Sequence, residues 1–91
     1  MTSRSKKSED FQNEPIEDKL VSEVPGIGKT LGVKLASADI DKAYKVLAQF
    51  LMCDKKDAKF KDWLQKTCKA NEEQQRDCFD AMKDWCSQHG L

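Results

Sequence analysis

The 91-residue sequence predicts an all-α fold, a compact bundle of about five helices joined by short connections. Two observations support this fold class. In three segments after Asp41, apolar residues recur at the i, i+3, i+4, i+7 spacing of a helix face. No segment alternates apolar and polar residues as a half-buried strand does. A chain of this length forms one domain with a small core, which association with a second copy would enlarge.

The first eight residues, MTSRSKKS, predict a flexible polar arm ahead of a single helical domain over residues 9–91. Such a tail is usually just solvated, but its basic residues also suit an arm that contacts nucleic acid and that phosphorylation would repel. The candidate phosphorylation sites are Thr2, Ser3 and Ser5. Phe11 and the Pro15-Ile16 pair that follows predict an anchored connector.

Residues 20–35 have the pattern of a helix-hairpin-helix, in which apolar residues lead into Gly26-Ile27-Gly28 and a helix-compatible run follows. Glycine lets the backbone turn sharply, and Ile27 between the two glycines can point into the core. The amides of Gly28, Lys29 and Thr30 are then expected at a helix N-terminus. Free N–H groups and the helix dipole favour a phosphate oxygen at that position.

Lys29 and Lys34 add positive charge to this motif, which contains no acidic residue after Glu23. The motif therefore predicts sequence-independent binding to a nucleic-acid backbone. The alternative is a glycine-rich turn with no ligand, because Gly-x-Gly alone is a weak signal. The i, i+4 pair Leu31 and Leu35 favours the hairpin, as does Gly32 at an expected close approach of two helices.

Three helices are predicted in the second half of the chain. Asp41 is the expected N-cap of a helix over about residues 42–53, and Asp57 that of the next. Asn71 and Gln74 have the spacing of a capping box at the start of the last helix. The predicted apolar faces are Ala43, Tyr44, Leu47, Phe50 and Leu51; Phe60, Trp63, Leu64, Thr67 and Cys68; and Cys78, Phe79, Met82, Trp85 and Cys86.

The composition argues against several classes of function. With 16 basic and 16 acidic residues the formal net charge is zero, so this is not a polycation that coats DNA. The four cysteines form no Cys-x-x-Cys pair and there is one histidine, so neither a metal site nor a cofactor is expected. Cys68, Cys78 and Cys86 are predicted to be buried free thiols. No catalytic constellation, signal peptide or transmembrane run is present.

Further short motifs stand at constant spacing from about residue 10 to residue 86. They are Asp10-Phe11, Glu14-Pro15, Gly26-Ile27-Gly28, Leu31-Gly32, Lys34-Leu35, Asp41-Lys42-Ala43-Tyr44, Gln49-Phe50-Leu51, Phe60, Trp63-Leu64, Thr67-Cys68, Ala70-Asn71, Arg76-Asp77-Cys78-Phe79 and Trp85-Cys86. In these residues the chain resembles the barrier-to-autointegration factor family of small nuclear DNA-bridging proteins, and the resemblance runs without a gap.

The resemblance implies an obligate, symmetric helical homodimer with one hairpin per subunit on opposite sides. Such a dimer holds two DNA duplexes at once, without sequence preference and without a small-molecule substrate. The resemblance also implies a role in chromatin and in nuclear-envelope assembly, through LEM-domain proteins and lamins. The implied location is the nucleus, including chromatin and the nuclear envelope, and also the cytoplasm.

Several residues match positions that the family uses at or beside DNA. They are Lys7, Gly26, Ile27, Gly28, Leu31, Lys34 and Arg76, to which the hairpin pattern adds Lys29 and Thr30. Glu9 and Glu73 stand where the family usually has basic residues. These two charge reversals predict weaker long-range attraction to DNA.

A second set of positions matches the family's LEM-binding groove at the dimer interface. The groove positions are Ala48, Met52, Cys53, Asp54, Lys59 and Trp63, and the expected dimer-interface residues are Tyr44, Leu47, Leu51 and Trp85. At the first five groove positions the family usually has glycine, an apolar residue, leucine, lysine and leucine. Because Lys59 would bring an ammonium group into an apolar groove, we expect weak or absent binding to ordinary LEM domains.

The residues and the family resemblance suggest three candidate functions. The leading one is a non-enzymatic, sequence-independent DNA-bridging dimer, favoured by the intact Gly26-Ile27-Gly28. The second is an interaction adaptor that heterodimerises with DNA-binding relatives and itself binds DNA weakly, favoured by Glu73 and the zero net charge. The third, a docking fragment of a DNA-repair enzyme, lacks an accompanying catalytic constellation.

Overall fold

The computed structural model describes residues 6–91, with side chains described from Glu9 onwards. These residues form five α-helices and one 3-10 helix, and they contain no β-strand, which confirms the predicted fold class. The elements are α1 (Lys6–Asn13), the 3-10 helix (Val21–Glu23), α2 (Lys29–Ser37), α3 (Ala43–Met52), α4 (Asp57–Cys68) and α5 (Glu72–His89). No helix among the described residues is long and apolar enough to cross a membrane.

Helix α5 begins as predicted. The Asn71 side chain accepts a hydrogen bond from the Gln74 amide at 2.8 Å, and the Gln74 side chain accepts one from the Asn71 amide at 2.8 Å. The reciprocal pair satisfies two amide groups that a helix N-terminus leaves free. All five residues predicted for the α5 face are buried, as are the free thiols of Cys68, Cys78 and Cys86.

The predicted caps of α3 and α4 are wrong. Lys42 and Lys56 occupy the two N-cap positions, and neither makes a side-chain capping bond. The Asp41 carboxylate instead forms an ion pair with the Lys45 ammonium at 2.9 Å. Asp57 is the first residue inside α4, and it pairs with Lys61 at 3.0 Å. Each aspartate therefore neutralises a lysine one helical turn later, and the free N–H groups at these two helix starts are left to solvent.

The core is built around an aromatic cluster of Phe50, Phe60 and Phe79, where α3, α4 and α5 meet. The Phe50 ring lies 5.4 Å from the Phe60 ring and 5.6 Å from the Phe79 ring, both in edge-on arrangements. Such geometry is favoured by the ring quadrupoles. Among residues 6–91 one pair is bridged as in a sheet, Leu20 with Lys42, and this bridge joins the chain before the 3-10 helix to the start of α3.

The segment predicted as a connector around Phe11 is a helix. α1 begins at Lys6, so the last three residues of the predicted arm belong to it, while Thr2, Ser3 and Ser5 lie outside the described residues. Phe11 is buried and anchors α1 to the core. The far end of α5 also holds this helix, because the Trp85 indole N–H donates to the Glu14 carbonyl at 3.0 Å and the His89 ring contacts the Gln12 carbonyl at 2.9 Å.

Candidate nucleic-acid interface

The hairpin of residues 20–35 is formed by the 3-10 helix, a tight turn and α2. The 3-10 helix spans three residues, so the first arm of the hairpin is shorter than an α-helix. The Glu23 carboxylate accepts a hydrogen bond from the Leu20 amide at 2.8 Å and so closes its first turn. Val24 and Ile27 are fully buried, which fits the predicted inward direction of Ile27. The turn is therefore fastened to the core and its outer edge faces solvent.

The glycines of the hairpin are constrained in different ways. Gly26 has a φ of +86°, and a Cβ there would lie 2.6 Å from the Gln74 carbonyl oxygen, so both conformation and space require glycine. At Gly32 a Cβ would lie 3.2 Å from the Ser22 Cβ, which is the close approach predicted at this position. Ser22 belongs to the 3-10 helix, a partner that the sequence pattern did not identify.

Gly28 differs from both, because neither its backbone nor its surroundings require a glycine. Its φ is −98° and a Cβ would meet nothing within 4 Å. Gly28 is the N-cap of α2 and has no side chain to cap the helix. The first backbone hydrogen bond of α2 runs from the Gly32 amide to the Gly28 carbonyl at 2.8 Å. The amides from Gly28 to Leu31 thus have no acceptor within the helix, and this N-terminus is open to solvent.

Three basic side chains on α2 and α5 have no carboxylate partner among residues 9–91. Lys29 and Lys34 of α2 and Arg76 of α5 are all exposed, and none of them forms an ion pair within residues 9–91. By contrast, Lys61 and Lys66 of α4 are each paired with an aspartate one turn earlier. Cations without carboxylate partners remain available to an anionic ligand.

α5 brings Arg76 to the hairpin. The site of a Cβ at Gly26 lies between the Gln74 carbonyl oxygen and the Cys78 amide nitrogen, 3.0 Å from the latter. The Asp77 Cβ is also close, 3.1 Å from that site, and Arg76 belongs to the same turn of α5 with an exposed side chain. Glu73 directly precedes Gln74 and is exposed. It lies in the first turn of α5, where the positive end of the helix dipole stabilises a carboxylate. The site thus combines an amide-lined helix end with charges of both signs.

The other predicted site residues are divided between exposed and buried positions. Thr30 is exposed, whereas Leu31 is buried and supports the hairpin from below. Glu9 is exposed on α1; Lys7 lies in the same helix, and its side chain lies outside the described part of the chain.

The residues predicted for partner binding lie on α3, α4 and the connection between them. Ala48, Met52, Asp54 and Lys59 are exposed, and Cys53 and Trp63 are half-buried. Lys59 and Trp63 are one turn apart on α4, so they share one helix face. Asp54 and the following Lys55 both have positive φ, at 56° and 60°, which makes this connection a tight one.

The four predicted dimer-interface residues are not equally accessible in a single subunit. Tyr44 is 43% exposed and Leu51 is 36% exposed, while Leu47 and Trp85 are both buried. Exposed Met52 lies beside Leu51, so α3 has apolar residues on its outer face as well as on its core face. Apolar residues on two faces of a helix indicate that the outer face is also covered, for example by a second subunit.

The thiols are shielded rather than activated. Burial raises the pKa of Cys68, Cys78 and Cys86 above the ordinary value of 9.0, and the Lys34 ammonium partly opposes this effect at Cys68. Protonated buried thiols neither bind metals nor attack electrophiles readily. Within the described residues no group of three or more histidine, cysteine or acidic side chains is placed to hold a metal ion.

These features define a class of protein: a small all-helical domain that presents an open, glycine-capped helix N-terminus, together with exposed basic side chains that form no ion pair among residues 9–91. The family model described as barrier to autointegration factor matches residues 2–89. The chain therefore belongs to the barrier-to-autointegration factor family.

Relatives from distant animals show the same similarity. Barrier-to-autointegration factor B of Xenopus laevis is 48% identical over 86 residues, which cover 94% of this chain and 96% of that protein. The Homo sapiens barrier-to-autointegration factor is 48% identical over 82 residues, covering 90% of this chain and 92% of that protein. The Drosophila melanogaster protein is 42% identical over 88 residues, covering 97% and 98%.

Proposed function

We propose that this chain is a non-enzymatic, sequence-independent DNA-binding protein that dimerises and bridges two duplexes. The open N-terminus of α2 carries the proposal. Nothing in the fold demands a glycine at residue 28, whereas the usual N-cap side chains would themselves accept hydrogen bonds from the free amides. A bare helix end of this kind suits a phosphate oxygen, which needs close approach to backbone N–H groups. Binding through the phosphate backbone carries no sequence information.

Bridging requires two such sites on one particle. The outer face of α3, with exposed Tyr44, Leu51 and Met52, supports a symmetric pairing of two subunits. A two-fold axis is the commonest arrangement in homo-oligomers, and it repeats every site once. A dimer therefore has two hairpins, and one DNA duplex on each would be bridged.

The function is tested by Gly28→Glu in a gel shift on plain duplex DNA at two salt concentrations, with light scattering to detect bridged aggregates. We expect the unmodified protein to bind and to form aggregates that high salt dissolves. Gly28→Glu places a carboxylate over the amides, so both signals should fall to background while the helical circular dichroism spectrum persists.

Ser37→Glu is the matched control. It adds the same charge to the same helix, but about 13 to 14 Å away by helix rise, at the C-terminal end. Its binding should stay near that of the unmodified protein. If the unmodified protein fails to bind DNA at low salt, or if Ser37→Glu is as damaging as Gly28→Glu, the amide site is not the DNA-binding element.

An adaptor function is the second candidate, and the exposed acidic residues Glu9 and Glu73 favour it. Such a subunit would heterodimerise with a DNA-binding relative and lower the affinity of the pair for DNA. Mixing the chain with a relative of different mass distinguishes the two candidates in native mass spectrometry. Preferential heterodimers together with weak DNA binding would favour the adaptor.

We further propose a nuclear role in chromatin organisation and nuclear-envelope assembly, with a cytoplasmic pool. Lamins are proposed partners on the strength of the family resemblance. LEM-domain proteins are proposed to bind weakly, because exposed Lys59 shares a helix face with Trp63 and has no ion pair within residues 9–91. Imaging of a fluorescent fusion through the cell cycle tests the location.

A further inference from the structure

Lys69 occupies a backbone position that suits glycine. It is the C-cap of α4, with φ 62° and ψ 32°, and its amide donates to the Gln65 carbonyl at 2.8 Å. A residue with a Cβ pays a conformational penalty of roughly 1 kcal/mol in this left-handed region, which is why glycine commonly ends helices.

The lysine side chain makes no specific contact, so its charge acts only on the C-terminal dipole of α4 and on any anion that approaches. Lys69 is exposed, and within residues 9–91 its ammonium forms no ion pair or hydrogen bond. The capping bond uses only its backbone amide, which any residue except proline supplies. What the position gains from lysine over glycine is therefore the positive charge itself.

That charge stands next to the hairpin. Lys69 begins the three-residue connection between α4 and α5, and Asn71 ends it as the N-cap of α5. The carbonyl of Gln74, in the first turn of α5, lies against Gly26. On the other side, the adjoining Cys68 is close enough to Lys34 for the ammonium charge to act on its thiol. Lys69 thus lies between the cation of α2 and the start of α5.

Two acidic residues lie close to Lys69 in the chain, and its charge can offset theirs. Glu72 and Glu73 occupy the first turn of α5, where the positive end of the helix dipole stabilises their carboxylates. The same carboxylates would repel a phosphate that approaches this end of the helix. Lys69 is separated from them only by Ala70 and Asn71. A cation at this point offsets the repulsion locally without removing the carboxylates from the helix N-terminus.

We propose that Lys69 is a further DNA-contacting residue, which binds a backbone phosphate beside the hairpin and offsets the acidic start of α5. The inference rests on the proposed DNA-binding function. It assigns the α4–α5 connection to the DNA-binding surface, next to the hairpin and Arg76.

The test compares Lys69→Gly with Lys69→Arg in equilibrium binding to duplex DNA from about 50 to about 200 mM salt. Loss of one phosphate contact should flatten the plot of log affinity against log salt by about 0.9 units, equal to a roughly threefold change across that range. Lys69→Arg should keep the slope of the unmodified protein. Lys69→Gly relieves the left-handed strain, so its melting temperature should not fall.

The matched control is a second lysine changed in the same way, so Lys69→Gln is compared with Lys56→Gln. Glutamine is used for this pair because Lys56 has an extended backbone, where glycine would add flexibility. Lys56 is exposed on the other end of α4, about 19 Å away by helix rise. Only Lys69→Gln should flatten the slope. A Lys69→Gly slope equal to that of the unmodified protein, while Gly28→Glu still abolishes binding, overturns this inference alone; absent binding by the unmodified protein overturns the proposed function.

Discussion

The α-carbon of Gly26 is packed so closely against Gln74 that a Cβ there would lie 2.6 Å from the Gln74 carbonyl oxygen. This contact fastens the hairpin to the first turn of α5. Because Gly26 also has a left-handed φ of +86°, two independent constraints act on one residue. Gly28, two residues later, is subject to neither constraint.

The first prediction concerns this difference. Gly26→Ala should lower the free energy of unfolding by about 2 to 4 kcal/mol, since it adds left-handed strain to a backbone clash. Gly28→Ala should lower it by no more than about 1 kcal/mol, the cost of placing alanine at an N-cap. Urea denaturation followed by circular dichroism measures both. Equal effects of the two substitutions would contradict the packing described here.

Lys34 should contribute to DNA affinity through charge alone. Lys34→Ala is expected to weaken binding modestly and to flatten the salt dependence by roughly one unit, as for the loss of one phosphate contact. Random and specific duplexes should be affected equally. Lys45→Ala is the control, because the Lys45 ammonium is already paired with Asp41 at 2.9 Å, and its salt dependence should match that of the unmodified protein.

The chain should be dimeric at low micromolar concentration. Leu51→Glu should give monomers that remain folded, because Leu51 is 36% exposed in the single subunit and its replacement leaves the core intact. Sedimentation equilibrium measures the mass. Val33→Glu is the control: Val33 is 61% exposed on α2, outside the predicted interface, and this variant should stay dimeric. A monomeric unmodified protein would remove the basis for bridging.

The thiols should react at very different rates under native conditions. Half-buried Cys53 should be alkylated first, and Cys68, Cys78 and Cys86 only after unfolding.

Because burial raises the pKa of these three thiols, the folded state holds their protons more tightly than the unfolded state does. Their contribution to stability should be complete below about pH 9 and be lost as the pH rises further. Mass spectrometry after timed alkylation and melting curves at several pH values check the two parts.

A change of two residues should restore binding to LEM domains. Lys59→Leu with Asp54→Lys removes an ammonium from the apolar groove and reverses the neighbouring charge, so affinity measured by calorimetry should rise while DNA binding is unchanged. Asp54 has a positive φ, which asparagine tolerates better than lysine. Lys59→Leu with Asp54→Asn is therefore the variant with less backbone strain. Tight binding by the unmodified protein would show that Lys59 is accommodated.

Local signals predicted the second half of the fold well. The capping box of Asn71 and Gln74 involves residues only three apart, and the buried face of α5 repeats over more than two turns, from Cys78 to Cys86. Asp41 and Asp57 were misleading because an aspartate before a helix can either cap it or pair with a lysine one turn later. Here both aspartates form the ion pair, with Lys45 and Lys61.

The remaining features depend on contacts that are distant in the sequence. α1 is polar apart from Phe11, so no periodic pattern predicts it; residues 71 and 77 positions further along hold its C-terminal end. The left-handed state of Lys69 leaves no trace in the sequence, because glycine is the usual signal for it. The open amides of the hairpin were predictable, since the order Gly26-Ile27-Gly28 fixes the turn and exposes the next helix start.

Helix α5 also determines how the molecule can be tethered. Gln74 seats the hairpin near the start of this helix, and His89 at its end contacts the Gln12 carbonyl of α1. The two points are 15 residues apart, or about 22 Å by helix rise. A surface linker attached after Leu91 therefore leaves the hairpin pointing away from the support.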